Sequence, residues 1–251
     1  MRFSDSDLGG CFPTGRHYPG IADRLAKALR DVSGLSPAFD PGASWVDIPF
    51  AVIDFETTGR DPAVDRVVEV GIVGFDGGEV SFREGLLVDP ERPIPKEAIE
   101  VHGITDDEVM GAPKFAELLP RLLDRLSGRL PVAYNATFDR SFLFAETRRA
   151  LGGSLPEGIP AFEEATVWLD PLVWARELLD DAMKGKKTLG EVAAHLNVPL
   201  ENAHRAMGDA EATGRVLLRL APKMPSTYSE LIRLQQRFSA MQEQAFRRFR
   251  R

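Results

Sequence analysis

The sequence predicts an α/β protein with a mixed five-stranded sheet and helices on both faces. Two observations carry this. Three strand-like runs follow one another from residue 50, joined by tight turns, and read as an antiparallel meander. After them, strand-like and helical patterns alternate, which adds strands to the same sheet and places helices against it.

The meander opens after Pro49 with residues 50–55, where Phe50, Val52 and Ile53 mark a core strand. A second β-rich run covers residues 67–75 and ends at Asp76-Gly77-Gly78, a turn sequence whose glycines accept positive φ. Residues 80–88 form the third strand. A short helix follows over residues 95–101, and residues 115–126 carry apolar side chains at helical spacing around Pro120, where a kink is expected. Residues 130–134 return to strand. Residues 137–151 form a helix with Phe138, Phe142, Leu143 and Ala145 on its apolar side, and residues 166–169 give the fifth strand. Amphipathic helices over residues 188–196 and 205–220 complete the set, the second closed by Pro222 and Pro225.

This domain spans residues 47–221. Residues 1–46 form an N-terminal extension with one amphipathic helix, in which Ile21, Leu25, Ala28, Leu29 and Val32 share a face. Residues 222–251 form a C-terminal helical extension, in which Thr227 and Glu230 supply a capping box. Along it, Leu231, Leu234, Phe238, Met241 and Ala245 make a narrow apolar seam of two heptads. A seam that short is expected to dock onto the N-terminal helix or onto a second subunit, giving a homodimer through the terminal helices.

Composition excludes several classes. At 43% hydrophobic and 27% charged, the 251-residue chain is neither disordered nor fibrous. No apolar stretch approaches the roughly 18 residues that cross a bilayer, and MRFSDSDLGG lacks the apolar region of a secretory signal, so a cytoplasmic protein is expected. The single Cys11 forms no internal disulfide. A net charge of −7 disfavours tight, sequence-specific DNA binding. The short basic clusters at Lys184, Lys186 and Lys187, at Arg148 and Arg149, and at the C-terminal arginines read as solvated surface.

Against that background the acids stand out. Asp54 and Glu56 lie two residues apart in a core strand, so they point to the same face, where their mutual repulsion calls for a divalent cation. Thr57, Thr58 and Gly59 then form a tight turn whose backbone can approach a ligand. Asp139 falls in the first turn of a helix, a common place for an acid that the helix dipole favours. Five residues of regular helix separate side chains by about 140°, so His204 and Asp209 face one site only if His204 lies in the loop before the helix.

Together these segments resemble the DnaQ-like, or DEDDh, exonuclease family, to which the proofreading epsilon subunit of bacterial DNA polymerase III belongs. The first family motif matches Asp54-Phe55-Glu56-Thr57-Thr58-Gly59, the second Asn135 with Asp139, and the third His204 followed by Asp209. His102-Gly103-Ile104-Thr105 also resembles a recurrent family segment, and the likeness covers about residues 49–220. It implies an RNase H-like fold, two divalent ions (Mg²⁺ or Mn²⁺), and stepwise release of nucleoside 5′-monophosphates from a 3′ end. By this resemblance Asp54 bridges the metals, Glu56 and Asp209 complete the site that activates water, Asp139 holds the second metal, and His204 is the general base. Thr57, Thr58, His102, Ile104 and Asn135 are the implied substrate-binding residues, with His102 and Ile104 flanking the terminal nucleotide.

The expected partner is a nucleic-acid 3′ end, DNA ahead of RNA, in a polymerase, replication or repair setting and with no membrane. An exoribonuclease acting on short RNA or RNA 3′ ends is the first alternative. A non-catalytic adaptor is the second, and it sits poorly with five intact candidate residues. Removing residues 226–251 is expected to change oligomeric state or stability while sparing phosphodiester cleavage.

Overall fold

The structure is a computed structural model that describes residues 34–180, 182–183, 185–200 and 205–249. The predicted N-terminal helix, Cys11, Lys184 and His204 lie outside the described residues.

Strands β1 (Phe50–Thr57), β2 (Val67–Asp76) and β3 (Glu79–Leu87) form the expected antiparallel meander, and β4 (Leu130–Val132) pairs parallel with β1. The sheet order is β3-β2-β1-β4. Helices α1 (Lys96–His102), α2 (Asp106–Val109), α3 (Phe115–Leu126) and α4 (Thr137–Ala150) are followed by α5 (Pro171–Leu178), α6 (Leu189–His195), α7 (Ala206–Leu220) and α8 (Tyr228–Phe249). Helix α3 runs through Pro120 to Leu126.

Four strands are present among the described residues, where five were expected. The stretch predicted as the fifth, residues 166–169, makes a single parallel bridge from Leu169 to Val132. Its backbone groups are taken elsewhere: the Val167 N–H by the Gly34 carbonyl at 2.8 Å, and the Trp168 carbonyl by the Gln235 amide at 2.8 Å. The next amide, Asp170, donates to the Gln235 side-chain oxygen at 2.9 Å. β4 also contains Pro131, which lacks a donor for any ladder. Helix α5 was not foreseen, although Asp170-Pro171 is a helix start: the Asp170 carboxylate accepts the Leu172 N–H at 2.9 Å and Pro171 occupies the first turn.

Alternation along β1 divides the core. Ala51, Ile53 and Phe55 face α3 and α4 in one apolar cluster with Phe115, Leu122 and Phe142. Phe50 and Val52 face the other way, into a cluster with Val73, Trp174, Val216 and Leu217. Asp54 and Glu56 continue this second face, so the acids emerge where the apolar layer ends.

The same face of β2 is shaped to receive α7. Gly71 pairs with Asp54, and a Cβ at Gly71 would lie 2.1 Å from the backbone carbonyl of Ala206. Only glycine lets the first residue of α7 approach the strand this closely.

Helix α8 packs within the same compact unit as the sheet. Leu231 and Ile232 are fully buried, Leu234 and Phe238 lie against the same cluster, and Phe238 meets Trp174 edge-on at 5.4 Å between ring centres. The seam read as a docking face is therefore occupied over its first half by the chain's own core. Residues 39–48 cover the helix start: Tyr228 N–H donates to the Ala43 carbonyl at 2.9 Å, and Trp45 is buried beside it. Thr227 donates to Glu230 at 3.2 Å, consistent with the capping expected there. Among the described residues no helix is long and apolar enough to cross a membrane.

Candidate active site

Three of the predicted acids converge. One carboxylate oxygen from each of Asp54, Glu56 and Asp209 lies within 4.8 Å of the others. Asp54 and Glu56 come from the end of β1, and Asp209 from the first turn of α7, which the absent side chain at Gly71 lets settle on the sheet.

Asp139 stands apart from that trio but beside it. It is buried in the first turn of α4, and its Oδ1 accepts the Phe55 N–H at 3.0 Å, tying α4 to the residue between Asp54 and Glu56. Burial holds the Asp139 carboxyl above its usual range, opposed by that hydrogen bond.

Burial first, and then concentrated negative charge, raises the pKa values of Asp54 and Glu56. Burial, then Asp139, Asp209 and Glu56, push Asp54 well above the ordinary carboxylate value. Burial, then Asp209, Glu69 and Asp139, push Glu56 up to about 8, with Arg205 opposing. Hard oxygen donors packed this closely fit a divalent cation such as Mg²⁺ or Mn²⁺, so divalent-metal dependence is what the site chemistry supports.

A stability effect follows from the sign of these shifts. A carboxyl whose folded pKa is raised stabilises the metal-free fold below its unfolded pKa, and that contribution is lost as pH rises through the folded value. For Glu56 the window runs from 4.5 to about 8. Metal-free protein is expected to lose on the order of 5 °C in Tm between about pH 5.5 and pH 8. Millimolar Mg²⁺ or Mn²⁺ should abolish most of that fall. A metal-free Tm that holds level or rises across the interval would show that the carboxylates do not share one site.

Beside the acids lies a cleft of about 450 Å³ lined by Phe55, Glu56, Thr57, Thr58, His102 and Phe138, among others. Thr57 ends β1 at an irregularity in the pairing with β2, and its hydroxyl donates to the Gly59 carbonyl at 2.6 Å. Thr58 bonds back to Arg66 through its N–H at 2.8 Å, which holds the turn closed. The His102 Nδ1 accepts the Ile104 N–H at 3.0 Å, so the neutral ring carries its proton on Nε2. Burial lowers the His102 pKa and keeps the ring neutral.

The structure places two of the implied substrate residues elsewhere. Ile104 is fully buried in a small core with Val68, Ile94 and Val109, and it does not line the cleft. Asn135 adopts φ 65° in the turn before α4, where its N–H donates to Asp170.

Two supporting acids escaped the sequence reading. Glu69, buried in β2 opposite Glu56, accepts hydrogen bonds from the Arg205 guanidinium at 2.7 Å and from the Ala206 N–H at 2.9 Å, fixing the start of α7. Its signal was an acid inside the apolar run Val67-Val68-Glu69-Val70. Asp170 accepts the N–H groups of Asn135 and Ala136, both at 3.0 Å, and so fixes the start of α4.

The comparisons agree with this geometry. DNA polymerase III PolC-type from Thermotoga maritima is 31% identical over 199 residues, covering 79% of this chain and 14% of that protein's length. Among solved structures, exonuclease X in complex with 5′ overhanging duplex DNA matches with a TM-score of 0.57 at 23% identity, over 74% of this chain and 99% of that one. The nuclease domain of 3′hExo, a DEDDh family member bound to rAMP, matches with a TM-score of 0.59 at 18% identity, over 74% of this chain and 96% of that one. These two likenesses establish an RNase H-like fold. The RNase_T profile, described as Exonuclease, matches residues 51–217, and with the acids of β1 and α7 meeting inside that span, the chain belongs to this exonuclease family.

Proposed function

We propose that the chain hydrolyses DNA from the 3′ end in a metal-dependent reaction, releasing nucleoside 5′-monophosphates in a polymerase-proofreading or repair setting. The observation that carries this is the meeting of Asp54, Glu56 and Asp209 at the edge of a cleft that Glu56 itself lines. Asp54, Glu56, Asp139 and Asp209 would hold two divalent ions, Mg²⁺ or Mn²⁺, whose chemistry is to make water nucleophilic at neutral pH and to stabilise the departing 3′ oxygen.

The remaining steps belong to the chain's own groups. His204, one residue before the Arg205 anchored by Glu69, takes the proton of the attacking water. The turn through Thr57 and Thr58, with the neutral His102, receives the terminal nucleotide, and a Thr57 backbone that meets the terminal 3′-hydroxyl selects a strand end, because internal phosphates lack that hydroxyl. The polymerase setting is supported by the PolC-type relatives, of which this chain spans only a small part.

The test compares 5′-labelled single-stranded DNA, mismatched primer-template and RNA of equal length, each with Mg²⁺ or Mn²⁺ and with EDTA. The expected result is a ladder shortened from the 3′ end on DNA, abolished by EDTA. Internal cuts or EDTA-resistant products would overturn the proposal, and faster loss of RNA would replace DNA as the substrate.

A further inference from the structure

Hydrogen bonds, completed by a short stretch of backbone, link α8, beyond the residues matched by the family, to the acid in the first turn of α4. Gln235 is 2% exposed on α8. Its side-chain oxygen accepts the Asp170 N–H at 2.9 Å and the Trp174 indole N–H at 3.0 Å, while its amide donates to the Trp168 carbonyl at 2.8 Å. One bond holds Trp168 in the stretch that has a single bridge to the sheet, one holds Asp170 just after it, and one reaches Trp174 on α5.

Asp170, immediately after that stretch and at the start of α5, carries the connection onward. Its Oδ1 accepts the Asn135 N–H and its Oδ2 the Ala136 N–H, both at 3.0 Å. Asn135 has φ 65°, a conformation that costs a non-glycine residue energy unless its surroundings hold it. Thr137 then begins α4, and Asp139 in its first turn reaches the Phe55 N–H beside Asp54.

We infer that Gln235 is a positioning residue of the exonuclease, acting through Asp170 and the Asn135–Ala136 turn to hold Asp139 against β1. The inference rests on the function proposed above. It also revises the expectation that residues 226–251 are dispensable for chemistry, because one of the groups that places Asp139 lies within them. A displacement of about an ångström in a reacting constellation costs up to roughly 10²-fold in rate, and loss of one link in a chain of three is expected to cost less.

The experiment uses the full chain with Gln235→Leu, which keeps the volume and removes all three bonds. The expected result is a kcat lowered about 10-fold, a KM for single-stranded DNA within about twofold, and faster amide hydrogen exchange at residues 135–139. Leu231→Ala, a core truncation on the same helix, serves as the stability control and should lower Tm while leaving kcat and exchange at residues 135–139 near wild type. If Gln235→Leu fails to fold, Gln235→Glu retains the acceptor for Asp170 and loses a donor only when ionised, so it should hold kcat within about threefold at mildly acid pH and exchange at residues 135–139 near wild type. Unchanged exchange at residues 135–139 in Gln235→Leu, an equal kcat loss in Leu231→Ala, or a larger loss of kcat or faster exchange there in folded Gln235→Glu overturns the inference. A wild-type chain that fails to shorten any 3′ end overturns the functional reading instead, and the exchange measurement still decides the link.

Discussion

Asp54→Asn is expected to lower 3′-end hydrolysis by at least about 10³-fold, since it removes a charged oxygen from the most crowded point of the acid group. Asp54 pairs across the sheet with Gly71, and its charge is raised in energy by burial and then by Asp139, Asp209, Glu56 and Glu69. The asparagine is isosteric and relieves that repulsion, so the fold should be kept and the metal-free Tm should rise by a few degrees. Asp209→Asn should act alike, since its oxygen meets those of Asp54 and Glu56. Rate measurements at saturating Mn²⁺ with parallel melting curves check both. Activity within tenfold of wild type in either folded variant would remove the carboxylate group from the reaction.

The second large effect is expected at His204. Losing a general base costs about 10² to 10⁴-fold in turnover, and His204→Ala should fall in that range while binding metal almost as well as wild type. Its sequence neighbour Arg205 is held by Glu69. Raising pH should recover part of the lost rate by supplying hydroxide. Metal affinity reduced as far as in Asp209→Asn would make His204 a ligand and end its assignment as base.

The sequence made most of this architecture legible for physical reasons that are local. Strands β1 to β3 are read from apolar runs broken by Asp76-Gly77-Gly78, and α4 and α7 from side chains at helical spacing. That Asp54 and Glu56 share a face follows from alternation on a strand, and that Asp209 joins them was implied by the family resemblance. What escaped was nonlocal. Residues 166–169 carry strand-forming side chains, yet their fate was decided by Gln235, more than sixty residues later, and by the proline in β4. The C-terminal seam is genuine as a pattern, but no rule of spacing names the surface it meets; Trp174 and residues 39–48 claimed it. Ile104 was assigned to substrate by resemblance, and the apolar company of Val68, Ile94 and Val109 claimed it for a small core. Glu69 and Asp170 each bond to backbone amides whose partners a linear reading cannot assign.

The contact between Gly71 and Ala206 sets a ruler for the whole centre. Because main chain rests on main chain there, with a Cβ excluded at 2.1 Å, the height of α7 above the sheet is fixed by atoms that no rotamer can adjust. Most active sites can absorb a small error by turning a side chain. Here the offset between the acids of β1 and the acid of α7 has no such slack, and a single methyl group at Gly71 would lift Asp209 away from both partners at once.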